Sequence, residues 1–316
     1  MEQLLLWGLD FIRTVQVYAT PQLNVFMITV SALGGSLIFT LLLPFFYWCI
    51  DEKKGLHLYV MVLISLWINI TLKHLLDQPR PFYPEYDPFV GIYSARMGGL
   101  PSGHAQNTFV MFAIIASWFI SQLNQKKAWI YGGVCALCVL LIGFSRIYLG
   151  VIFPTDILGG WIVGGILLCG YFLLRDKVER FLSKGSFRAG MIASAVLSFI
   201  FILNIPGEEA LMASGFMMGI GGGYCLNRRY IGFNNSLEKR TGIKKILILF
   251  ARMLLGVTGI ALLAFATDQL FPKNTANHNL FGFAHFLLWG LWISVAAPWI
   301  FVKLRLVKRD ENYNNA

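Results

Sequence analysis

The sequence predicts an all-α integral membrane protein, a helical bundle of about nine transmembrane helices. Of its 316 residues, 57% are hydrophobic and only 13% are charged, whereas about 25% of the residues of a soluble domain are charged. Apolar runs long enough to cross a bilayer as a helix recur along the whole chain. These observations exclude a soluble enzyme and a soluble binding domain.

Nine apolar segments account for the predicted spans, and an amphipathic segment precedes them. Residues 1–20 carry apolar side chains around Asp10 and Arg13, a pattern typical of a helix in the membrane interface. We expect no removable signal peptide, because the N-terminus lacks a charged region and a small-residue cleavage site. The predicted spans are 24–50, 56–76, 104–123, 128–149, 156–174, 189–205, 210–226, 246–271 and 285–302.

The distribution of positive charge predicts the orientation. Of the 26 Lys and Arg residues, 19 fall in the connections and tail on one side of the predicted membrane, and 5 fall on the other. Because cytoplasmic loops are enriched in Lys and Arg, we expect the N-terminus outside and the C-terminus in the cytoplasm. The basic loops 175–188 and 227–245 need no partner beyond anionic lipid, so the net charge of +10 does not indicate nucleic-acid binding.

Three short segments, residues 73–81, 101–104 and 145–156, supply the residues for a phosphate site. Lys73 and Arg80 lie at the end of the second predicted span, and Arg146 ends the fourth. A guanidinium can hold a phosphate in a bidentate fork, and an ammonium acts as a compact charge. The predicted topology places all three segments at the outer ends of their helices, so we expect one outward-facing site.

The second segment is Pro101-Ser102-Gly103-His104, at the start of the third span. The free amides of a helix start favour an anion, and Gly103 lets the backbone approach a ligand closely. His104 can donate a proton to a leaving oxygen, since imidazole titrates near physiological pH.

Each of these residues also has an ordinary structural interpretation. Lys73 could extend its amine to the headgroups, and Arg80 could face lipid phosphates from its loop. Ser102 and Asp156 are both plausible N-caps of the helices that follow them.

Together the segments resemble the signature of the type-2 phosphatidic acid phosphatase superfamily: Lys-x6-Arg-Pro, Pro-Ser-Gly-His and Ser-Arg-x5-His-x3-Asp. The resemblance covers about residues 55–175. The superfamily includes lipid phosphate phosphatases, polyprenyl diphosphate phosphatases and glucose-6-phosphatase. The resemblance implies phosphate binding by Lys73, Arg80, Ser102, Gly103 and Arg146, and catalysis by His104, Asp156 and a nucleophilic histidine that Asp156 orients.

The chain departs from this signature at the nucleophile. Five residues after Arg146, the position that should hold the histidine is Ile152. Isoleucine has no lone pair and cannot form a covalent phosphoryl intermediate. Positioned water could attack instead, or His104, His278 or His285 could substitute, although their spacing supports none of them.

The resulting hypothesis is a membrane lipid-phosphate phosphatase or phosphotransferase at the outer face, impaired or divergent because of Ile152. The alternative is a non-catalytic binder, carrier or sensor of phosphorylated lipid, and thus a pseudoenzyme. A third possibility assigns an unrelated activity to the C-terminal helices, where Arg252 and Asp268 are the charged residues of the eighth span.

The expected organisation has four parts. They are an interfacial helix at 1–20, a phosphatase-like core at 21–175, additional helices at 189–302 and a basic tail at 303–316. We expect no cofactor and no metal site, and partners limited to a phosphorylated lipid and membrane lipid. The expected location is a bacterial inner membrane, and the oligomeric state stays open.

Overall fold

The computed structural model describes residues 2–35, 38–81, 98–120, 122–184, 186–203, 208–235, 242–270 and 278–309. Nearly all of these residues are helical, which confirms the predicted fold class. The exceptions to helix and loop are two-residue strands, β1 (Phe233–Asn234) and β2 (Lys308–Arg309), which pair antiparallel.

Most helices lie close to the predicted spans. The first predicted span, 24–50, is instead divided, because one helix ends at Leu33 and helical structure is described again from Ile38. Short π-helical stretches lie at Ile38–Leu42, Phe46–Ile50, Asn227–Ile231 and Trp292–Ala296. The α-helices are α1 Glu2–Gln16, α2 Pro21–Leu33, α3 Leu43–Phe45, α4 Glu52–Leu76, α5 Gly103–Ile120, α6 Gln125–Tyr148, α7 Pro154–Lys184, α8 Phe187–Leu203, α9 Glu208–Leu226, α10 Ile243–Leu270, α11 His278–Leu291 and α12 Ala297–Lys303.

Within the described ranges, five helical segments are long and apolar enough to cross a membrane. Shorter apolar helices occupy Pro21–Leu33, Thr40–Ile50 and Phe187–Leu203. The structure therefore supports a multi-pass protein, and the count of nine spans stays a prediction. The five long segments are Glu52–Leu76, Gln125–Tyr148, Pro154–Phe181, Ile243–Leu270 and Leu280–Lys303.

The chain divides into two compact units. The first comprises Met1–Ile38 and Ile64–Leu173, and the second comprises Phe39–Leu63 and Leu174–Ala316. The three motif segments, as far as they are described, lie in the first unit.

In the first unit, local signals begin the helices that carry the motifs. Thr20 precedes Pro21 and accepts a hydrogen bond from the Leu23 amide at 3.2 Å, which caps α2. Asn124 caps α6 in the same way through the Lys127 amide at 3.0 Å. These caps fix where α2 and α6 start, and hence which of their residues reach the site.

Helix α1 packs over the third motif segment. Its buried residues Leu5, Leu9 and Ile12 form one apolar cluster with residues between Ile147 and Ile157. Other apolar side chains of α1 remain exposed, including Trp7 at 52%. The helix predicted from residues 1–20 thus exists, and its interfacial placement stays a prediction.

In the second unit, α9 and α11 approach each other through glycine. A Cβ added to Gly215 would lie 2.2 Å from the Phe283 carbonyl oxygen, and one added to Gly219 would lie 2.5 Å from that of Leu287. Contacts this close require glycine, as is common between membrane helices.

A candidate phosphate-binding site

The first motif segment places two buried cations against backbone carbonyls. Lys73 lies in the last turn of α4, and its Nζ donates to the Gly98 oxygen at 2.6 Å and the Gly99 oxygen at 2.8 Å. Arg80 follows the helix, and its Nη1 donates to the Val151 oxygen at 3.1 Å. Both side chains are buried. This burial argues against the alternative that Lys73 and Arg80 extend to lipid headgroups at the membrane surface.

The second motif segment starts α5. The Ser102 hydroxyl accepts from the Ala105 amide at 3.4 Å, which confirms the predicted N-cap role. The Ser102 amide donates to the Asp156 carbonyl at 2.8 Å and so ties this turn to the start of α7.

A buried polar network supports this turn from α4. Asn69 Nδ2 donates to the Pro101 carbonyl at 3.0 Å and to Gln106 Oε1 at 2.9 Å. Gln106 Nε2 in turn donates to the Ser65 carbonyl at 2.8 Å. A Cβ at Gly103 would lie 2.8 Å from Asn69 Oδ1. Glycine at 103 therefore lets the turn rest directly on Asn69.

The third motif segment brings a third cation from α6. Arg146 lies in the last turn of that helix, and its Nη1 donates to the Ser31 hydroxyl of α2 at 2.7 Å. The Val151 amide bonds the Arg146 carbonyl at 3.2 Å, which closes the loop that carries residue 152.

His104, the second residue of α5, lies against the end of α2. A Cβ added to Gly34 would lie 3.1 Å from its Cδ2, and one added to Gly35 would lie 3.3 Å from its Nε2. Arg146 bonds Ser31, three residues before Gly34.

Lys73 bonds the carbonyl of Gly99, where an added Cβ would lie 2.6 Å from Asp156 Oδ2. The motif segments thus bring cations, one histidine and one carboxylate to the neighbouring ends of α2, α5 and α7.

The nucleophile position is filled with hydrocarbon. Ile152 is 3% exposed and belongs to the apolar cluster beneath α1, with Leu9, Ile12 and Phe153. Its side chain is therefore part of a packed core.

Asp156 has a different role from the predicted N-cap. Helix α7 begins at Pro154, so Asp156 is its third residue, and its Oδ2 accepts from the Phe153 amide at 3.0 Å. This arrangement is the carboxylate half of a capping box. Its Oδ1 accepts from Gln78 Nε2 at 2.8 Å. The helix start was misplaced because Pro154 is tolerated at the first helical position.

Sequence reasoning missed the contributions of Ser31, Gly35 and Gln78. Serine and glycine are common in membrane helices, so no feature of the sequence indicated that Ser31 and Gly35 contact residues of the motifs. Gln78 had a weak signal, since it stands two residues before Arg80.

The other candidates in the C-terminal helices have ordinary surroundings. Arg252 donates to the Trp48 carbonyl at 2.9 Å and to the Leu306 carbonyl at 2.8 Å. Asp268 is exposed and lies about 24 Å away along α10, at 1.5 Å per residue, so the two form no pair. The His285 ring lies 5.0 Å from the Phe286 ring and 5.2 Å from the Trp289 ring. The side chain of His278 lies outside the described residues.

Comparisons with known proteins agree with this arrangement of motifs. The sequence model of the PAP2 superfamily matches residues 54–180, which contain all three motif segments. A second model, described as the transmembrane extension of PAP2 superfamily phosphatases, matches residues 211–309. Phosphatidylglycerophosphatase B of Bacillus subtilis (strain 168) is 32% identical over 181 residues, which cover 52% of this chain and 81% of that protein.

The chain belongs to the PAP2 superfamily. Other relatives carry the same family character. Lipid phosphate phosphatase delta of Arabidopsis thaliana is 24% identical over 281 residues, covering 83% of this chain and 66% of that protein. The crystal structure of a transmembrane PAP2 type phosphatidylglycerolphosphate phosphatase from Bacillus subtilis aligns with 55% of this chain and 85% of its own chain. The sequence identity is 25% and the TM-score is 0.45. The resemblance drawn from the three motifs is thus confirmed at the level of the family.

Proposed function

We propose that the protein is a lipid-phosphate phosphatase or phosphotransferase whose site opens at the outer membrane face. The observation that carries this proposal is the placement of Lys73, Arg80 and Arg146, by hydrogen bonds, at the helix ends where His104 lies. Phosphoryl transfer depends mainly on positioning and on stabilising charge at the equatorial oxygens. Three cations around one histidine supply that stabilisation.

In this proposal the cations hold the phosphoryl oxygens and His104 protonates the leaving lipid oxygen. Ile152 offers no electron pair, so water, or an acceptor hydroxyl in a transfer reaction, attacks phosphorus directly as the bond to the lipid oxygen breaks. The proton that the attacking oxygen loses replaces the one that His104 gives to the lipid oxygen. Electrostatic stabilisation and binding leave part of the rate enhancement when a nucleophile is lost. We therefore expect slow, His104-dependent turnover.

The second candidate function is a binder, carrier or sensor of phosphorylated lipid. It is favoured by the nucleophile segment, where Ile152 is packed in the core and Asp156 is bonded to Gln78 and Phe153. In this case the cations bind the phosphate and no turnover follows.

The count of 19 Lys and Arg residues against 5 supports the outer location of the site and the cytoplasmic location of the C-terminus. The bacterial relative named above supports a bacterial inner membrane and phosphatidylglycerol phosphate as one substrate to test. The core at 21–175 would then perform the function, with the helices at 189–302 in a supporting role.

The test uses the full chain purified in detergent with phosphatidic acid, phosphatidylglycerol phosphate or undecaprenyl diphosphate. The first candidate predicts phosphate release that is lost in His104→Ala. The second predicts binding that weakens in Arg80→Ala, without release. Release no greater than that of an Arg80→Ala, Arg146→Ala double variant rejects catalysis on these lipids, and equal binding by that variant rejects both candidates.

A further inference from the structure

The N-terminal helices contribute contacts to the third motif segment. Tyr148 donates its hydroxyl to Asn24 Oδ1 at 2.6 Å, and its carbonyl accepts from Gln16 Nε2 at 2.8 Å. Ser31 accepts from Arg146 at 2.7 Å. Gln16, Asn24 and Ser31 all precede residue 54, where the match to the PAP2 sequence model begins. The end of α6 is thus held by a part of the chain that the family signature does not include.

Ser31 differs from the other two because it bonds a cation of the site. Ser31 and Arg146 are 5% and 9% exposed, so their hydrogen bond is shielded from water. A hydrogen bond from a charged donor is stronger than one between neutral groups. We expect this contact to fix the orientation of the guanidinium.

A serine hydroxyl that accepts one hydrogen bond still has its own proton to donate. An anion held by Arg146 would lie beside that hydroxyl, because both bind the same guanidinium. The hydrogen bond that Ser31 accepts from Arg146 polarises the Ser31 hydroxyl, so its proton becomes a better hydrogen-bond donor to an anion. The chemistry of Ser31 therefore suits a phosphate oxygen.

The position of Ser31 relative to His104 supports the same assignment. Gly34 ends α2 three residues after Ser31, and its amide bonds the Ser31 carbonyl at 3.0 Å. A Cβ added to Gly34 would lie 3.1 Å from His104 Cδ2. The turn that carries Ser31 therefore lies beside His104, while the Ser31 side chain bonds Arg146.

We propose that Ser31 is a phosphate-site residue, which orients Arg146 and donates its own hydroxyl proton to an oxygen of the bound phosphate. This inference rests on the proposed function, in which the cations bind a lipid phosphate. Ser31 acts as a ligand and a positioning residue, and it forms no covalent bond with phosphorus.

The experiment measures binding of dioctanoyl phosphatidic acid to the full chain in detergent by calorimetry, with dioctanoylglycerol as the ligand that lacks phosphate. Loss of a hydrogen bond to a charged group predicts that Ser31→Ala weakens phosphatidic acid binding by about 10-fold or more. Ser31→Thr keeps the hydroxyl and should restore most of the affinity. Thr29→Val is the matched control, since the Thr29 hydroxyl bonds only the Val25 carbonyl of its own helix in the described contacts.

The outcomes separate this inference from the proposed function. If Arg146→Ala weakens binding and Ser31→Ala does not, the role of Ser31 is wrong and the proposed function stands. If the unmodified chain binds phosphatidic acid no better than dioctanoylglycerol, both are wrong. Thermal unfolding of each variant checks the fold, because a purely structural role would lower stability without changing the preference for the phosphorylated ligand.

Discussion

The cations of the candidate phosphate site and the segment at the nucleophile position are both buried, but their partners differ in kind. Lys73, Arg80 and Arg146 donate to backbone carbonyls and to a serine hydroxyl, which are neutral acceptors. Asp156 is the carboxylate of the same region, and its Oδ2 lies against Gly99, whose carbonyl accepts from Lys73. Three cations and one carboxylate leave an excess of positive charge. Burying charge is costly unless it is compensated, so we expect this region to favour an anionic ligand.

The surroundings of residue 152 are apolar, and the nearby carboxylate of Asp156 has its hydrogen bonds within the protein. Ile152 is surrounded by apolar side chains of α1 and its own loop. Both oxygens of Asp156 accept hydrogen bonds from the protein. This contrast predicts that anion binding and covalent chemistry depend on separable parts of the candidate site, so that each can be changed without the other.

The largest effect is expected from restoring the nucleophile. Ile152→His should raise phosphate release from phosphatidic acid by about 100-fold or more over the unmodified chain, because an imidazole can form a covalent intermediate where water had to attack. Initial rates measure the gain, and acid quenching with labelled substrate should trap a phosphohistidine.

The control for this variant is Ile152→Gln, which places a polar group of similar size in the same apolar cluster but cannot act as the nucleophile. Equal rates for the histidine and glutamine variants would mean that the two parts of the site are no longer aligned for transfer.

The next effect contrasts two arginines that are both buried. Arg80→Ala should weaken binding of dioctanoyl phosphatidic acid by about 10- to 100-fold, as expected for hydrogen bonds to a charged group. Arg252→Met should leave binding unchanged and destabilise the fold by about 2 kcal/mol, since it removes bonds to two carbonyls that hold the second unit together. Calorimetry and thermal unfolding of both variants test the pair. The reverse pattern would place the anion site at Arg252.

The sequence was sufficient to predict the helices and the family, because apolar length and motif spacing are local properties of the chain. The chain positions of α4, α6 and α10 were therefore predicted within a few residues. It was insufficient for Ser31 and Gln78, whose roles depend on which helices become neighbours in the fold. The start of α7 was predicted two residues late, because Pro154 was placed in the turn instead of the helix.

A smaller effect is expected where the backbone of the second motif rests on α4. Gly103→Ala adds a Cβ at 2.8 Å from Asn69 Oδ1, and relieving such overpacking costs about 1–3 kcal/mol. The turn that carries His104 should shift, so phosphatidic acid binding should weaken severalfold. Gly133→Ala in α6 is the matched control, since nothing lies within 4 Å of its added Cβ. Equal effects of the two substitutions would show that the Asn69 contact does not position the turn.

The smallest effect concerns Gln78, whose amide bonds the carboxylate of Asp156. In the unmodified chain, Gln78→Ala removes one hydrogen bond to Asp156 and should lower stability by about 1–2 kcal/mol, because a buried carboxylate oxygen loses a donor. In the Ile152→His background, Gln78→Ala should increase activity, although it still lowers stability. An imidazole at 152 needs the Asp156 oxygen that Gln78 occupies, so removing the amide should raise phosphate release. Stability and initial rates of the two single variants and the double variant form a complete cycle. An additive cycle would mean that Asp156 serves the fold alone, whereas a positive coupling in the rates would show that it can still orient a nucleophile.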